Sequence, residues 1–171
     1  ALDIQEKELD AKHPDLALAY RNIADAYFYM GNYAKTKFFY EKAIEIQEEI
    51  LENNHLELGI SYRKLGDFFL FTSLQKPDFD RIVELHQKAL AIHEKNLLFY
   101  NKELARTYFS RSLSCSVIGC KGYSLSMNLE WLKKAITIQT NLFGEKHNEL
   151  ARSYIYLGRY YEIRGKYEKA L

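Results

Sequence analysis

An all-α array of stacked helix–turn–helix units is the fold class this 171-residue sequence predicts, and three observations predict it. The segment ALDIQEKEL at residues 1–9 returns as AIEIQEEIL from Ala43, ALAIHEKNL from Ala89 and AITIQTNLF from Ala135, in steps of 42, 46 and 46 residues. A second anchor takes the same steps: HPDLALAY from His13, HLELGISY from His55, NKELARTY from Asn101 and HNELARSY from His147. Between the anchors, apolar residues recur at helical spacing rather than by alternation. A fixed period of this length is the signature of supersecondary units that bury their apolar faces on one another.

The first complete unit shows how each element follows. Leu16, Tyr20, Ile23, Ala24 and Tyr27 mark one face of a helix, at i, i+4, i+7, i+8 and i+11. Gly31-Asn32 ends it, since glycine readily takes up the backbone conformation that closes a helix. A second helix runs through Tyr33, Tyr40, Ala43, Ile44 and Ile46. Full repeats are thus read at 13–52, 55–98 and 101–143, with 1–10 ending a preceding repeat and 147–171 opening a further one. On this reading the chain is a section of a longer array. Two units carry four extra residues each, near 73–79 and 119–124.

Equivalent positions carry equivalent tasks. The third residue of each anchor is acidic (Asp15, Glu57, Glu103, Glu149) and is expected to face the unpaired N–H groups of a helix start. Pro14 suits a first helical position. Small residues Ala24, Gly66, Ser112 and Gly158 recur where two helices must approach closely. Arg111 departs from the pattern, standing where Ile23, Leu65 and Leu157 stand elsewhere. Around it Ser110, Ser112, Ser114 and Ser116 alternate as a strand would, but the repeat register outweighs that local signal and a helix is expected.

Composition removes several functional classes. With 24 basic and 23 acidic residues there is no charge excess to announce a polyanion partner. No apolar run approaches the roughly 18 residues that span a bilayer. Carboxylates at equivalent positions lie a repeat apart, too far for paired acid–base work. His13, His55 and His147 are likewise too dispersed to share a metal, and His86 and His93 stand two helical turns apart. There is no phosphate loop and no nucleophile motif. No enzyme activity, metal or cofactor is therefore expected. Cys115 and Cys120 match no redox or zinc spacing and are expected to be buried free thiols in an intracellular, cytoplasmic protein.

The run Tyr20-x-x-Ile23-Ala24-x-x-Tyr27, then Gly31-Asn32-Tyr33, then Ala43-Ile44 resembles the tetratricopeptide repeat. Units of 42 residues opening on HPD and ending near AIEIQEEIL resemble the kinesin light chain type of that family. The resemblance covers the whole chain. It implies a solenoid wound as a right-handed superhelix, with the first helix of each unit lining a concave wall. It also implies that wall positions not spent on packing contact an extended peptide. Carried over residue by residue, these are Arg21, Asn22, Asp25, Phe28 and Tyr29, then Arg63, Lys64, Asp67 and Phe71. Arg106 and Phe109 follow, then Arg152, Ile155, Tyr156 and Arg159.

Basic residues with interleaved aromatics on such a wall suit an extended peptide with acidic groups and a large apolar anchor. The resemblance implies the same ligand class, because kinesin light chains bind acidic peptides bearing an aromatic residue. Two other readings stay open. The array acts as a spacer or scaffold, or, from another class, its arginines and aromatics follow a single nucleic-acid strand. The last helix presents Leu150, Tyr154, Leu157 and Tyr161, a stripe expected to support self-association.

Overall fold

The computed structural model describes residues 13–72, 78–96, 102–118 and 125–170, so the opening ALDIQEKEL segment and most of both four-residue insertions lie outside the described residues. The chain divides into two compact units, Ala1–Lys95 and Asn96–Leu171. In the first unit α1 (Pro14–Tyr29) and α2 (Tyr33–Ile50) form one antiparallel pair, and α3 (Leu56–Thr72) and α4 (Phe79–Lys95) the next. In the second, α5 (Lys102–Ile118) pairs with α6 (Leu125–Phe143); α7 (Asn148–Glu162) packs on both, and a short 3-10 turn, Tyr167–Lys169, follows it. No strand occurs among the described residues, and the serine-rich stretch is helical as expected.

Helix starts are capped by a residue type the sequence reading passed over. Nδ1 of His13, His55 and His147 accepts the N–H of Asp15 (3.2 Å), Glu57 (3.3 Å) and Glu149 (3.2 Å). Histidine thus does the work more often given to serine or aspartate. The α1–α2 turn closes through Gly31 at φ 74°, a left-handed conformation that a side chain would strain. Asn32 Oδ1 then caps α2 by accepting the Lys35 N–H at 3.2 Å.

The core of the first unit joins all four of its helices: Ala24, Tyr40, Ile44, Leu58, Leu65, Phe68, Leu85, Ala89 and Ile92 are buried together. In the second unit Leu104, Ala105, Tyr108, Trp131, Leu132, Ala135 and Leu150 are buried. Arg111 is buried as well, with its guanidinium 5.0 Å from the Trp131 ring centroid. Stacking on an aromatic face lets a cation occupy a place held by aliphatic residues in other repeats. Ser114 Oγ and Ser116 Oγ donate to the carbonyls of Ser110 (2.9 Å) and Ser112 (3.0 Å), which is how serines settle inside a helix. Cys115 is buried but disulfide-bonded, correcting the free-thiol expectation; Cys120 lies outside the described residues.

Two phenols tie the first unit together. Tyr40 Oη donates to Asp25 Oδ1, and Tyr62 Oη donates to Glu48 Oε1 at 2.5 Å. Burial first, and the facing carboxylate second, push both phenols above the usual tyrosine value of 10.0. Because the folded-state value is the raised one, this stabilisation is complete below about pH 10 and is lost as pH climbs above it. Each phenol should steepen the decline by about 1.4 kcal/mol per pH unit in that window. Urea unfolding from pH 9 to 11.5 should therefore fall off less steeply for a Tyr40→Phe/Tyr62→Phe double variant than for the parent. Parallel curves would remove the argument.

Candidate peptide-binding face

The residues expected on the inner wall sort into two groups. One group is engaged in holding the fold together. Arg21 is only 7% exposed and donates through Nη1 to Glu57 Oε2 at 2.5 Å, joining α1 to the start of α3. Arg63, equally buried, donates to Asp67 Oδ2 one turn along α3, at 2.9 Å. Lys64 pairs with Asp25, the same carboxylate that accepts from Tyr40. Asp67 also accepts from His86 Nε2 on α4, at 3.1 Å. Asp25 and Asp67 hold equivalent positions in consecutive repeats, and each binds one cation and one polar side chain of the following helix.

In the second unit Arg106 Nη1 donates to Glu103 Oε1 (2.8 Å) and its Nη2 to Glu149 Oε1 (2.5 Å). Burial lowers the affinity of this guanidinium for its proton, but the two carboxylates outweigh burial and its pKa is raised. Arg21 and Arg106 do not hold equivalent positions, yet both end on the acid that opens a following first helix. The acids at Glu57 and Glu149 were expected to face the helix N–H groups. Their side chains turn to these arginines instead, because the histidine before each already accepts the nearby N–H.

The other group faces outward. In the first unit Tyr29 is 87% exposed, Phe71 is 55% exposed, and Asn22 is exposed. Half-buried Phe28 lies between them, its ring centroid 5.9 Å from Tyr29, 6.3 Å from Phe71 and 6.2 Å from Tyr33. Tyr33 extends this aromatic patch around the turn and Met30 is exposed beside Gly31; that turn was the available signal, but both lie off the periodic face from which the wall was read.

In the second unit Arg152 and Arg159 are exposed on α7, two turns apart. Arg152 lies over Phe109 and Arg159 over Tyr156, each guanidinium carbon 5.6 Å from the ring centroid. The two rings meet edge to face at 5.3 Å and 79°. Ile155 is exposed on the same helix. Of the stripe expected on α7, Leu150 is buried, Tyr154 exposed, and Leu157 and Tyr161 partly covered.

No group of three or more histidine, cysteine or acidic side chains placed to hold a metal occurs among the described residues. No described helix is long and apolar enough to cross a membrane.

Comparison with known proteins agrees with this architecture. No curated protein matches the chain. Among solved structures, the chain is similar to nearly identical TPR-like repeats from Podosopora anserina, provisionally described as kinesin light chain and solved in two forms. For one of these forms the identity is 21%, the TM-score 0.76, and the match covers 99% of this chain and 76% of that one. It is also similar to BtubC (BKLC) from P. vanneervenii, at 23% identity and TM-score 0.76. That match covers 96% of this chain but 63% of the BtubC chain, under two thirds of its length. At such identities the likeness establishes the fold, an all-α array of tetratricopeptide type. The family model for the tetratricopeptide repeat matches residues 1–49 and 129–171, more than half of the sequence, and the chain belongs to that family.

Proposed function

We propose that this chain is a non-catalytic recognition module that holds an extended acidic and aromatic peptide segment of another protein on the first helices of its repeats. Tetratricopeptide repeats are protein-interaction units, and this is the general part of the reading. The observation that carries the specific part is the exposure of unspent recognition groups on those helices: Tyr29 and Phe71 in the first unit, Arg152 and Arg159 in the second. Large aromatics and arginines are the residues that most often dominate binding energy at protein interfaces. Such a module would serve inside the cell as an adaptor.

The test is fluorescence anisotropy with labelled peptides carrying several acids and one tryptophan or phenylalanine, at two salt concentrations. A Tyr29→Ala/Phe71→Ala/Arg152→Ala variant should bind at least about tenfold more weakly than the parent, as expected for loss of anchor residues. Arg21 and Arg63 are poor choices for such a variant, since both are buried and paired within the fold. Equal binding by parent and variant would favour a second reading, a scaffold that associates through α7, whose exposed Tyr154 and Ile155, with Ile163 just past its end, support it. Binding that collapses steeply with salt and accepts single-stranded nucleic acid would favour the strand-tracking alternative.

A further inference from the structure

We infer that acids of the ligand are read within the second unit, at Arg152 and Arg159, and that this pair selects two carboxylates spaced three residues apart in an extended segment. This rests on the peptide-binding reading above and adds the ligand's charge spacing to it.

The cations on the first helices meet two different fates. Arg21, Arg63, Lys64 and Arg106 each have an internal carboxylate within ion-pair distance. Among the described residues Arg152 and Arg159 have none; each lies on an aromatic ring instead. A guanidinium beside a ring and without a carboxylate partner keeps N–H donors for a ligand, and two of them can grip a carboxylate in a two-point fork. Phe109 and Tyr156 also support each other edge to face, so the two forks stand on one continuous aromatic base. Stacking limits the freedom an arginine must give up on binding, which makes the pair better prepared than two loose surface cations.

The spacing follows from helix geometry. Seven residues along α7 at about 1.5 Å each place the two arginines about 10 Å apart along its axis. An extended chain with three residues per turn and a rise of about 3.1 Å brings residues i and i+3 to one side, about 9 Å apart. In a strand, residues sharing a face are about 7 or 14 Å apart, a poorer match. Ile155 lies between the arginines and is exposed, so an apolar side chain between the two acids has a surface to meet. The fitting ligand is acid-x-x-acid with an aliphatic residue inside it.

The experiment measures anisotropy of labelled twelve-residue peptides on the full chain: Glu-x-x-Glu with an internal leucine, Glu-x-Glu, and Glu-x-x-Gln. The first should bind about tenfold more tightly than the other two, the value of one charge-assisted hydrogen-bonding contact. Arg152→Gln and Arg159→Gln should each lower its affinity about tenfold. In one of these variants, Glu-x-x-Glu and Glu-x-x-Gln should become nearly equal, because the fork that told them apart is gone. Both sites are exposed, so circular dichroism should show unchanged helix content. Indifference to acid spacing, or to both substitutions, overturns the inference. If binding is indifferent in that way yet is lost in Tyr29→Ala/Phe71→Ala, the peptide-binding reading survives without it. If neither these peptides nor the aromatic-bearing acidic peptides above bind, both fall.

Discussion

Replacing Asp67 with alanine should destabilise the first unit by about 3 kcal/mol, the low end of the range for removing one partner of a buried ion pair. Asp67 is partly covered, and it accepts from Arg63 at 2.9 Å and from His86 at 3.1 Å. Arg63 is buried and His86 is fully buried, so neither reaches solvent once the carboxylate is gone. The loss therefore comes from two buried donors that give up the carboxylate they share, a charged guanidinium among them. Asp67→Asn keeps an acceptor oxygen for one donor and should lose distinctly less. Equilibrium urea unfolding decides the matter. A loss under about 1 kcal/mol for the alanine variant, the range of an exposed ion pair, would mean that Asp67 behaves as a surface carboxylate.

Gly66→Ala is the second large effect, and its sign runs against helix propensity. In an open helix interior the exchange would gain about 1 kcal/mol. Here an added Cβ would stand 2.6 Å from both Cδ2 and Nε2 of His86, whose ring is 0% exposed and hydrogen-bonded to Asp67. Overpacking of this kind costs about 1–3 kcal/mol, and a ring with no free space and a fixed polar partner has little room to give. Less the propensity gain, the net result should be a loss of up to about 2 kcal/mol, measured as a drop in urea midpoint at unchanged slope. Gly59 makes the same socket for His93, with an added Cβ at 2.7 Å from its Nε2. If Gly66→Ala stabilises the chain, the histidine–glycine packing account fails. On the packing account, a Gly66→Ala/His86→Ser double variant should be less affected than the two single losses added together, because its serine leaves room for the methyl.

These two sites show where reading the sequence reached and where it stopped. Gly66 was recognised as a small residue at a close approach, since Ala24, Ser112 and Gly158 stand at equivalent positions. That the approaching group is an imidazole was not legible, because the fit depends on the depth of a contact between two helices. Asp25 and Asp67 were read as groove acids for the same reason: their spacing places them on the first-helix wall, but spacing carries no record of what reaches them from the next helix. The histidine caps were overlooked because histidine is an uncommon residue at a helix start. Arg111 was noticed as a departure; only packing showed that Trp131 receives it.

By itself, then, the sequence determined the repeat, the pairing of helices and the family. Those follow from apolar spacing and helix-ending residues, which act over a few turns of chain and recur in every unit. Only the tertiary structure decided which cations remain available to a partner. Arg21 is neutralised by a carboxylate 36 residues away and Arg106 by one 43 residues away, whereas Arg152 and Arg159 lie on aromatic rings. Ion pairing depends on distance in space, so two arginines that look alike along the chain diverge once one of them folds against an acid.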